Sequence, residues 1–321
     1  MLKTSLLPLA AAVCLVFAPQ AQAQSAYPNK AIKFVVPFAP GTAVDVIARL
    51  VGDKISGDLK QAVVIENRPG AQGSIGADAV AKAAPDGYTF VFGSTTTHAA
   101  NPSLFKKLSY DPVKDFEPVA KLATIPYVLA VNADLPVNTV AELIDNAKLN
   151  PGKLSYAYGS SGNLIPAAIF AKRMGLDIAG IPYKSPPQAV TDTIGGQTQI
   201  IFIDMSGGLP HIKSKKLRAL AVTTDKPSKY LPDTPVLAKT MEGFDYSTWF
   251  GMYAPAGTPK DIVATMGRSV LKAIGQPDVR EKLENQGFEI TPGSSDELRT
   301  FTATEVQKFG KLTAEGNILK E

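Results

Sequence analysis

The chain has 321 residues, 45% of them hydrophobic, and a formal net charge of +4 at pH 7. Its Lys and Arg residues are spread along the sequence without a basic cluster that contains aromatics, which argues against a nucleic-acid-binding protein. One cysteine and two distant histidines do not suit a zinc or other transition-metal site.

The N-terminus has the pattern of a cleaved export signal. Lys3 supplies a positive charge, residues 6–18 form an apolar run too short for a membrane span, and residues 21–23 (AQA) fit the small-x-small cleavage rule. We therefore expect a signal peptide over residues 1–23, a mature chain from Gln24 and a periplasmic location. The only cysteine lies in the apolar run, so the mature chain has no thiol and no disulfide.

After this signal, apolar runs of strand length alternate with segments of helical periodicity. In the first half, the sequence predicts strands over residues 32–37, 62–66 and 88–93 and helices over 44–55 and 74–84. In the second half, it predicts strands over 127–132, 154–158, 178–183, 199–204, 217–223 and 249–254 and helices over 139–149, 163–174, 259–274 and from about residue 295. This alternation is typical of an α/β protein with mostly parallel sheets flanked by helices. A mature length of roughly 300 residues suits two lobes of about 150 residues each.

Three predicted strand-to-helix loops, residues 38–45, 93–98 and 158–163, are rich in small and hydroxyl residues. In open α/β sheets, ligands bind beyond the carboxyl ends of the strands, where such loops lie. Helices that begin there direct N–H groups and a positive dipole end at the ligand. Each loop alone is more often a tight turn with a helix cap. Three loops of similar chemistry, however, indicate a cradle for a carboxylate or phosphate that needs no arginine.

A secreted hydrolase is the alternative from another class of function. Its nucleophile would be Ser160 or Ser161 and its base His98. Ser161 lacks the glycine two residues later that a nucleophile elbow requires. As a lone histidine, His98 is expected to be a hydrogen-bonded structural residue or a ligand contact rather than a general base. We therefore expect no catalytic residue, no enzyme activity and no cofactor.

Four further candidate residues lie outside these three loops. Asp204 ends a predicted strand, so we expect it to cap the next helix or hold water, with direct ligand contact as the alternative. Tyr183 and Trp249 can both reach a cleft between lobes, although Trp249 is equally a core residue. We expect His211 at an exposed helix start.

Seven short segments carry a resemblance to a known family. They are residues 36–41 (VPFAPG), 66–71 (ENRPGA), 84–89 (APDGYT), 158–163 (YGSSGN), 182–184 (PYK), 195–197 (GGQ) and 254–259 (APAGTP). They occur in order over nearly the whole mature chain. On these segments the chain resembles the receptors of tripartite tricarboxylate transporters, also called Bug periplasmic solute-binding proteins.

The resemblance implies a two-lobed periplasmic-binding-protein fold of type II-like form, which closes on a ligand by movement at hinge crossings. We expect lobe 1 over residues 24–125 and 249–321 and lobe 2 over residues 126–248. The resemblance also implies a carboxylate held by loop backbone, hydroxyls and ordered water, and delivery of that ligand to the membrane permease of a tripartite transporter. We expect a monomer; a partner of a membrane sensor kinase that presents ligand is an alternative.

Positions that match the family loops, together with the cleft candidates above, form the expected ligand-binding set. It comprises Phe38, Ala39, Gly41, Thr42, Ala43, Ser94, Thr95, Thr97, His98, Ser160, Ser161, Gly162, Asn163, Tyr183 and Asp204. The chain departs from the usual family pattern at Thr42 and Val44, where glycine and threonine are common, and at residues 164–165 and 185–187. These changes predict a bulkier, more apolar wall. We therefore expect a ligand with an apolar or aromatic body and one or two carboxylates, such as terephthalate.

Overall fold

The structure is a computed structural model and describes residues 27–320. The predicted signal peptide and its cleavage site lie outside the described residues. The chain begins with alternating strands and helices: β1 (Ile32–Val36), α1 (Ala43–Leu59), β2 (Val63–Asn67), α2 (Ser74–Ala81) and β3 (Thr89–Ser94). The three strands pair in parallel in the order β2-β1-β3, so the carboxyl ends of β1 and β3 open toward the same edge.

A 17-residue strand, β4 (Phe116–Asn132), connects two sheets. Its first part pairs antiparallel with β9 (Ser247–Pro255) and with β10 (Glu289–Gly293), and β9 in turn pairs with β3. Its last part pairs antiparallel with β7 (Ile200–Asp204) and β8 (Leu217–Val222). The first sheet therefore has the order β2-β1-β3-β9-β4-β10.

The second sheet has the order β6-β5-β7-β4-β8, in which β5 (Ser155–Tyr158) is parallel to β6 (Ala179–Pro182) and to β7. Four helices belong to it: α4 (Val140–Leu149), α5 (Ser161–Met174), α6 (Pro186–Ile194) and α7 (Met205–Lys213). Both sheets are mixed, because β4 contributes antiparallel pairs to each. The expected two-lobed periplasmic-binding-protein fold is confirmed by this architecture and by the similar structures reported below.

The C-terminal part returns to the first sheet with α8 (Lys260–Ile274), α9 (Pro277–Glu284) and α10 (Ser295–Glu315). A capping box stabilises the start of α10, because Ser294 and Glu297 each accept a hydrogen bond from the other's backbone N–H. Another short helix, α3 (Asn101–Leu104), follows a π-helical turn over Thr96–Ala100. Among residues 27–320, no helix is both long and apolar enough to span a bilayer.

Trp249 belongs to the core of the first lobe. Its side chain is 2% exposed, and its indole Nε1 donates to Glu305 Oε2 at 2.9 Å. Phe301 packs against the indole edge-to-face, with ring centroids 5.2 Å apart. The core reading of this tryptophan is therefore the right one.

Two segments cross between the sheets, and Thr223 ties them together. Its Oγ1 accepts a hydrogen bond from Tyr127 N–H and lies 2.6 Å from the carbonyl oxygen of Tyr246. Next to these contacts, β4 changes partner: Pro126 pairs with Ser247 of β9, and Tyr127 pairs with Asp204 of β7. We propose lobe boundaries at 125/126 and 248/249 on this ground. Lobe 1 and lobe 2 are used below in this sense.

The sequence-based prediction of β4 was too short, since it began at residue 127. Pro118 and Pro126 lie within the observed strand, and proline removes a donor from a strand ladder. The strand accommodates Pro118 at a register shift and Pro126 where it changes sheets. The predicted helix over residues 74–84 was too long: α2 begins at Ser74, after Gly73 in a left-handed conformation, and ends at Ala81.

Candidate ligand-binding cleft

A narrow cleft, partly open to solvent, lies between the two lobes. Its twelve lining residues are Phe38, Thr42, Ala43, Val44, Ser94, Thr96, Tyr127, Ser160, Pro186, Asp204, Thr248 and Phe250. None of these twelve residues carries a positive charge, and Asp204 is the one acidic residue among them.

The loop after β1 leaves the start of α1 open to the cleft. Thr42 occupies the N-cap position but does not cap the helix, because its hydroxyl donates to the Ala39 carbonyl oxygen at 2.8 Å. Ala43 and Val44, the first two residues of α1, line the cleft. Their N–H groups have no acceptor within the helix, since they belong to its first turn. The N-terminal end of α1 thus directs unpaired N–H donors and the positive end of the helix dipole at the cleft.

Asp45 organises this loop from behind. Its carboxylate accepts hydrogen bonds from Gly41 N–H at 2.9 Å, from Arg49 Nε at 2.9 Å and from Asn67 Nδ2 at 2.8 Å. Burial alone would raise the pKa of Asp45, but these three bonds outweigh it and the pKa is lowered. Gly41 has φ of +80°, a conformation that favours glycine. Arg49 is therefore engaged with Asp45 and Asn67 rather than with the cleft.

The start of α5 is open in the same way. Ser160 precedes the helix but makes no capping bond, because its hydroxyl donates to Asn163 Oδ1 at 3.0 Å. Asn163 in turn donates through Nδ2 to the carbonyl oxygen of Phe202 on β7 at 2.7 Å. Asn163 is fully buried, so it positions the loop rather than lining the cleft. Ser160 itself lies on the cleft wall.

Two glycines permit close approaches at this end of the cleft. A Cβ atom on Gly162 would lie 2.0 Å from the hydroxyl oxygen of Tyr127, and one on Gly159 would lie 2.2 Å from the carbonyl carbon of Ser185. The Tyr127 hydroxyl, which lies against Gly162 in the cleft wall, also bonds with the Thr248 side chain. Burial, reinforced by the nearby charge of Asp204, raises the pKa of Tyr127. Tyr127 is therefore a neutral hydroxyl group.

The loop after β3 contributes a hydroxyl without a partner. Ser94 is 4% exposed, lines the cleft, and its Oγ has no hydrogen-bond partner in the protein. An unpaired buried hydroxyl is costly unless a ligand or water satisfies it. Its neighbours point inward instead: Thr95 Oγ1 accepts from Trp249 N–H at 2.9 Å, and Thr97 Oγ1 accepts from Ser94 N–H at 3.1 Å.

The expectation that His98 contacts the ligand is wrong. The imidazole is fully buried, stacks on Tyr253 with ring centroids 3.9 Å apart, and packs against Phe116. Its Nδ1 lies 2.9 Å from Thr97 Oγ1, and burial lowers its pKa to about 3. Gly93 lies against the ring, where a Cβ atom would be 2.5 Å from Nδ1. His98 is thus a neutral core residue of lobe 1.

The hydrolase arrangement is absent from the described residues. Ser161 donates its hydroxyl to Thr96 Oγ1 at 2.8 Å, and Ser160 donates to Asn163. Neither serine is hydrogen-bonded to His98, and a histidine with a pKa of about 3 is a poor base at neutral pH. The Ser161–Thr96 bond has a different consequence, because it joins lobe 2 to lobe 1 across the cleft.

Asp204 ends β7 on the cleft wall and caps α7. Its Oδ1 accepts from Gly207 N–H at 2.9 Å, so the expected capping role is confirmed. Burial raises the pKa of Asp204, although backbone donors at Gly207 and Ser206 act against the increase. No Lys, Arg or His among residues 27–320 forms an ion pair with this carboxylate.

The remaining predicted positions lie beside the cleft or inside the lobes. Gly41 lies at a mouth of the cleft, where His211 also lies; that histidine is in the last turn of α7, not at a helix start as expected. Tyr183 lies with Lys184 in a separate pocket that shares no lining residue with the cleft. Thr95, Thr97, Ser161 and Asn163 are buried and bonded within the protein. Ala39 supports Thr42 through its carbonyl oxygen.

Six lining residues were not in the expected ligand-binding set: Val44, Thr96, Tyr127, Pro186, Thr248 and Phe250. Val44 and Pro186 were predicted as wall positions and Thr96 lies in a predicted loop, so sequence reasoning missed only Tyr127, Thr248 and Phe250. Tyr127 and Thr248 lie on the strands that cross between lobes, and Phe250 follows on β9. Their segments are apolar and were interpreted as core strands. The available signal was the position of both segments at the predicted crossings, where two lobes must meet.

Two mixed α/β lobes, joined by two crossing segments around a cleft with uncapped helix ends, define a solute-binding protein of the periplasmic-binding-protein class. The tripartite tricarboxylate transporter family receptor model matches residues 47–318. The chain therefore belongs to that family, the TctC or Bug receptors, and the resemblance inferred from sequence is confirmed.

Three solved structures are similar over nearly their whole length. The periplasmic binding protein BugD is 30% identical, with 92% of this chain and 100% of that chain covered and a TM-score of 0.87. A protein of R. palustris solved with adipate is 32% identical, with 92% and 100% covered and a TM-score of 0.89. MatC of Rhodopseudomonas palustris, solved with bound malate, is 29% identical, with 89% and 99% covered and a TM-score of 0.84.

Proposed function

We propose that this chain is an exported receptor that captures a small organic carboxylate between its lobes and delivers it to the membrane permease of a tripartite transporter. One observation carries the proposal. The uncapped starts of α1 and α5 and the unpartnered Ser94 hydroxyl all meet in one cleft that has no cationic lining residue. Such an array of neutral donors suits a carboxylate group.

The energetics of this donor set are sufficient. A hydrogen bond to a charged group contributes about 1.5–3 kcal/mol. A micromolar dissociation constant corresponds to about 8 kcal/mol. Four or five such bonds therefore suffice after the cost of ordering the ligand. We assign the carboxylate to the donors around Thr42, Ala43, Ser94 and Ser160, and we expect Tyr127 and Thr248 to support them.

The rest of the wall favours an apolar ligand body. Phe38 and Phe250 line the cleft together with Val44 and Pro186. An aromatic dicarboxylate such as terephthalate has the matching shape, as a flat ring with a carboxylate at its end. The adipate and malate found in two similar proteins are both small dicarboxylates, which supports the ligand class.

Closure of the lobes explains how binding becomes a signal for transport. Ser161–Thr96 and Ser206–Gln286, at 2.8 and 3.3 Å, join lobe 2 to lobe 1 across the cleft. A ligand that contacts both walls favours the closed form, because it gains contacts that the open form lacks. We propose that the monomeric closed receptor, exported with removal of residues 1–23, is the form the permease recognises, and that the protein does not turn over its ligand.

A thermal-shift panel of mono-, di- and tricarboxylates tests the proposal. A ligand at about 100 times its dissociation constant adds roughly 2.7 kcal/mol of stability, so at least one acid is expected to raise the Tm by several degrees. Ser94→Ala is expected to reduce that shift, whereas Ser103→Ala, on α3, is not. If no carboxylate raises the Tm of the wild-type protein, the proposal fails.

A further inference from the structure

Asp204 places a carboxylate in the wall of a cleft that we propose binds anions. It is the one ionisable acid among the twelve lining residues, and it belongs to lobe 2 while Ser94 and the start of α1 belong to lobe 1. It also lines the mouth beside Gly41 and Pro187. A ligand in the cleft can therefore contact the donors of lobe 1 and the carboxylate of lobe 2.

The protein leaves this carboxylate without a counter-charge. Oδ1 accepts from Gly207 N–H at 2.9 Å, and the start of α7 supplies backbone donors only. Asp45, the other partly buried acid near the cleft, is paired with Arg49 and Asn67. A partly buried carboxylate with backbone donors alone keeps free acceptor capacity, so it can accept a further hydrogen bond from a ligand.

A ligand can supply that donor only in certain forms. An ionised carboxylate on the ligand next to Asp204 would place two like charges together in a region that is poorly solvated. A hydroxyl or ammonium group there would instead donate a hydrogen bond to Asp204. A dicarboxylate could bind only by retaining a proton between its distal carboxyl group and Asp204.

We propose that Asp204 is the specificity-determining acceptor for the distal end of the ligand, so that the preferred solutes are carboxylates that carry a hydroxyl or ammonium group. This inference rests on the proposed function and narrows its ligand class. The ligand carboxylate accepts hydrogen bonds near Ser94, and the hydroxyl or ammonium group of the ligand donates to Asp204. Terephthalate then becomes a weaker ligand than an otherwise identical acid with a distal donor.

Asp204→Asn is the informative variant, because asparagine caps helices as well as aspartate does. It keeps the start of α7 intact and removes only the charge. Asp177→Asn is the matched control, since Asp177 is an exposed acid in the α5–β6 loop of the same lobe. Three probes share one skeleton: terephthalate, 4-(hydroxymethyl)benzoate and 4-(aminomethyl)benzoate. Succinate, 4-hydroxybutyrate and 4-aminobutyrate form the aliphatic counterpart.

Titration calorimetry at pH 7 measures the affinity of each acid for the wild type and for both variants. In the wild type, the acids with a distal hydroxyl or ammonium group are expected to bind at least about tenfold more tightly than the dicarboxylate of the same series. In Asp204→Asn, the dicarboxylate gains about tenfold and the ammonium acid loses about tenfold. Asp177→Asn follows the wild type throughout.

The outcomes separate the two proposals. If the acids bind but Asp204→Asn leaves the order of their affinities unchanged, Asp204 does not determine specificity. Only this inference is then overturned. The same conclusion follows if the dicarboxylate is the tightest ligand of the wild type in both series. If no acid binds the wild type at all, the receptor proposal fails, and this inference fails with it.

Discussion

The starts of α1 and α7 face the same cleft from opposite lobes, and each has an aspartate within it or beside it. At α1, Asp45 lies behind the loop, holds Arg49 and Asn67, and leaves the first N–H groups of the helix open to the cleft. At α7, Asp204 caps the helix and itself faces the cleft. Lobe 1 therefore offers donors at the start of α1, and lobe 2 offers an acceptor at Asp204, within the same cleft.

Folding lowers the pKa of Asp45 and raises the pKa of Asp204, because the two carboxylates have different hydrogen-bond partners. Burial raises the pKa in both cases, but three side-chain and backbone bonds reverse the effect at Asp45, whereas backbone bonds do not reverse it at Asp204. The comparison indicates that Asp45 belongs to the scaffold and supports the proposal that Asp204 contacts the ligand. The following experiments test that division, from the largest expected effect to the smallest.

Gly162→Ala is expected to have the largest effect, because it changes the start of α5, where hydrogen-bond donors face the cleft. Its Cβ atom would lie 2.0 Å from the Tyr127 hydroxyl oxygen, and Tyr127 is only 4% exposed and cannot move freely. Overpacking of this kind costs about 1–3 kcal/mol, so we expect a loss near the upper end of that range in urea unfolding, with loss of carboxylate binding.

Gly57→Ala is the control for that variant. Gly57 lies within α1, and a Cβ atom there would have no neighbour within 4 Å. Alanine in a helix interior is favoured over glycine by about 0.5–1 kcal/mol, so this variant is expected to be slightly stabilised and to bind normally. Equal stability of the two variants would contradict the close approach of Tyr127.

Asp45→Ala is expected to cost about 2 kcal/mol of unfolding free energy at pH 7, because it leaves donors of Gly41, Arg49 and Asn67 without their acceptor. Asp53→Ala, an exposed position on the same helix, is the control and is expected to change stability little. Because the pKa of Asp45 is lowered by folding, the difference between Asp45→Ala and wild type should shrink as the pH falls below about 4. A constant difference down to pH 2 would show that Asp45 does not act through its charge.

Asp204→Asn is expected to have the smallest effect on stability and the opposite sign. Folding raises the pKa of Asp204, so its ionised form is less favoured in the folded protein than in the unfolded chain. The wild type therefore loses stability relative to the variant as the pH rises above the unfolded pKa of about 3.9. We expect a higher Tm for the variant at pH 7 and no difference well below pH 4. A variant less stable than wild type at pH 7 would mean that Asp204 is mainly a structural cap.

Sequence periodicity predicted most of the fold because the strands β1, β3 and β7 are short apolar runs between clear turn signals. It placed the end of β7 at Asp204 and recognised the capping role there. It could not predict the full length of β4, since Pro118 and Pro126 are tolerated only through pairing with β9, which is distant in sequence.

The sequence predicted the site only in part, because the positions of some side chains depend on packing between distant segments. Loop composition identified Thr42, Ser94 and Ser160, which lie at strand-to-helix junctions. It also selected His98, whose ring is covered by Tyr253 of a distant strand, so its burial depends on tertiary packing alone. Tyr127 and Phe250 line the cleft only because two lobes meet at their strands, and the apolar character of these strands indicated a core position instead.

The most direct test of the account compares an acid with its neutral amide. The carboxylate that gives the largest thermal shift is titrated calorimetrically into the wild-type protein beside the corresponding primary amide, which has nearly the same shape but no charge and offers donors of its own. If the open ends of α1 and α5 and the Ser94 hydroxyl hold a carboxylate, the acid is expected to bind at least about 100-fold more tightly than the amide. Equal affinity for the acid and the amide would contradict the anion-binding cleft.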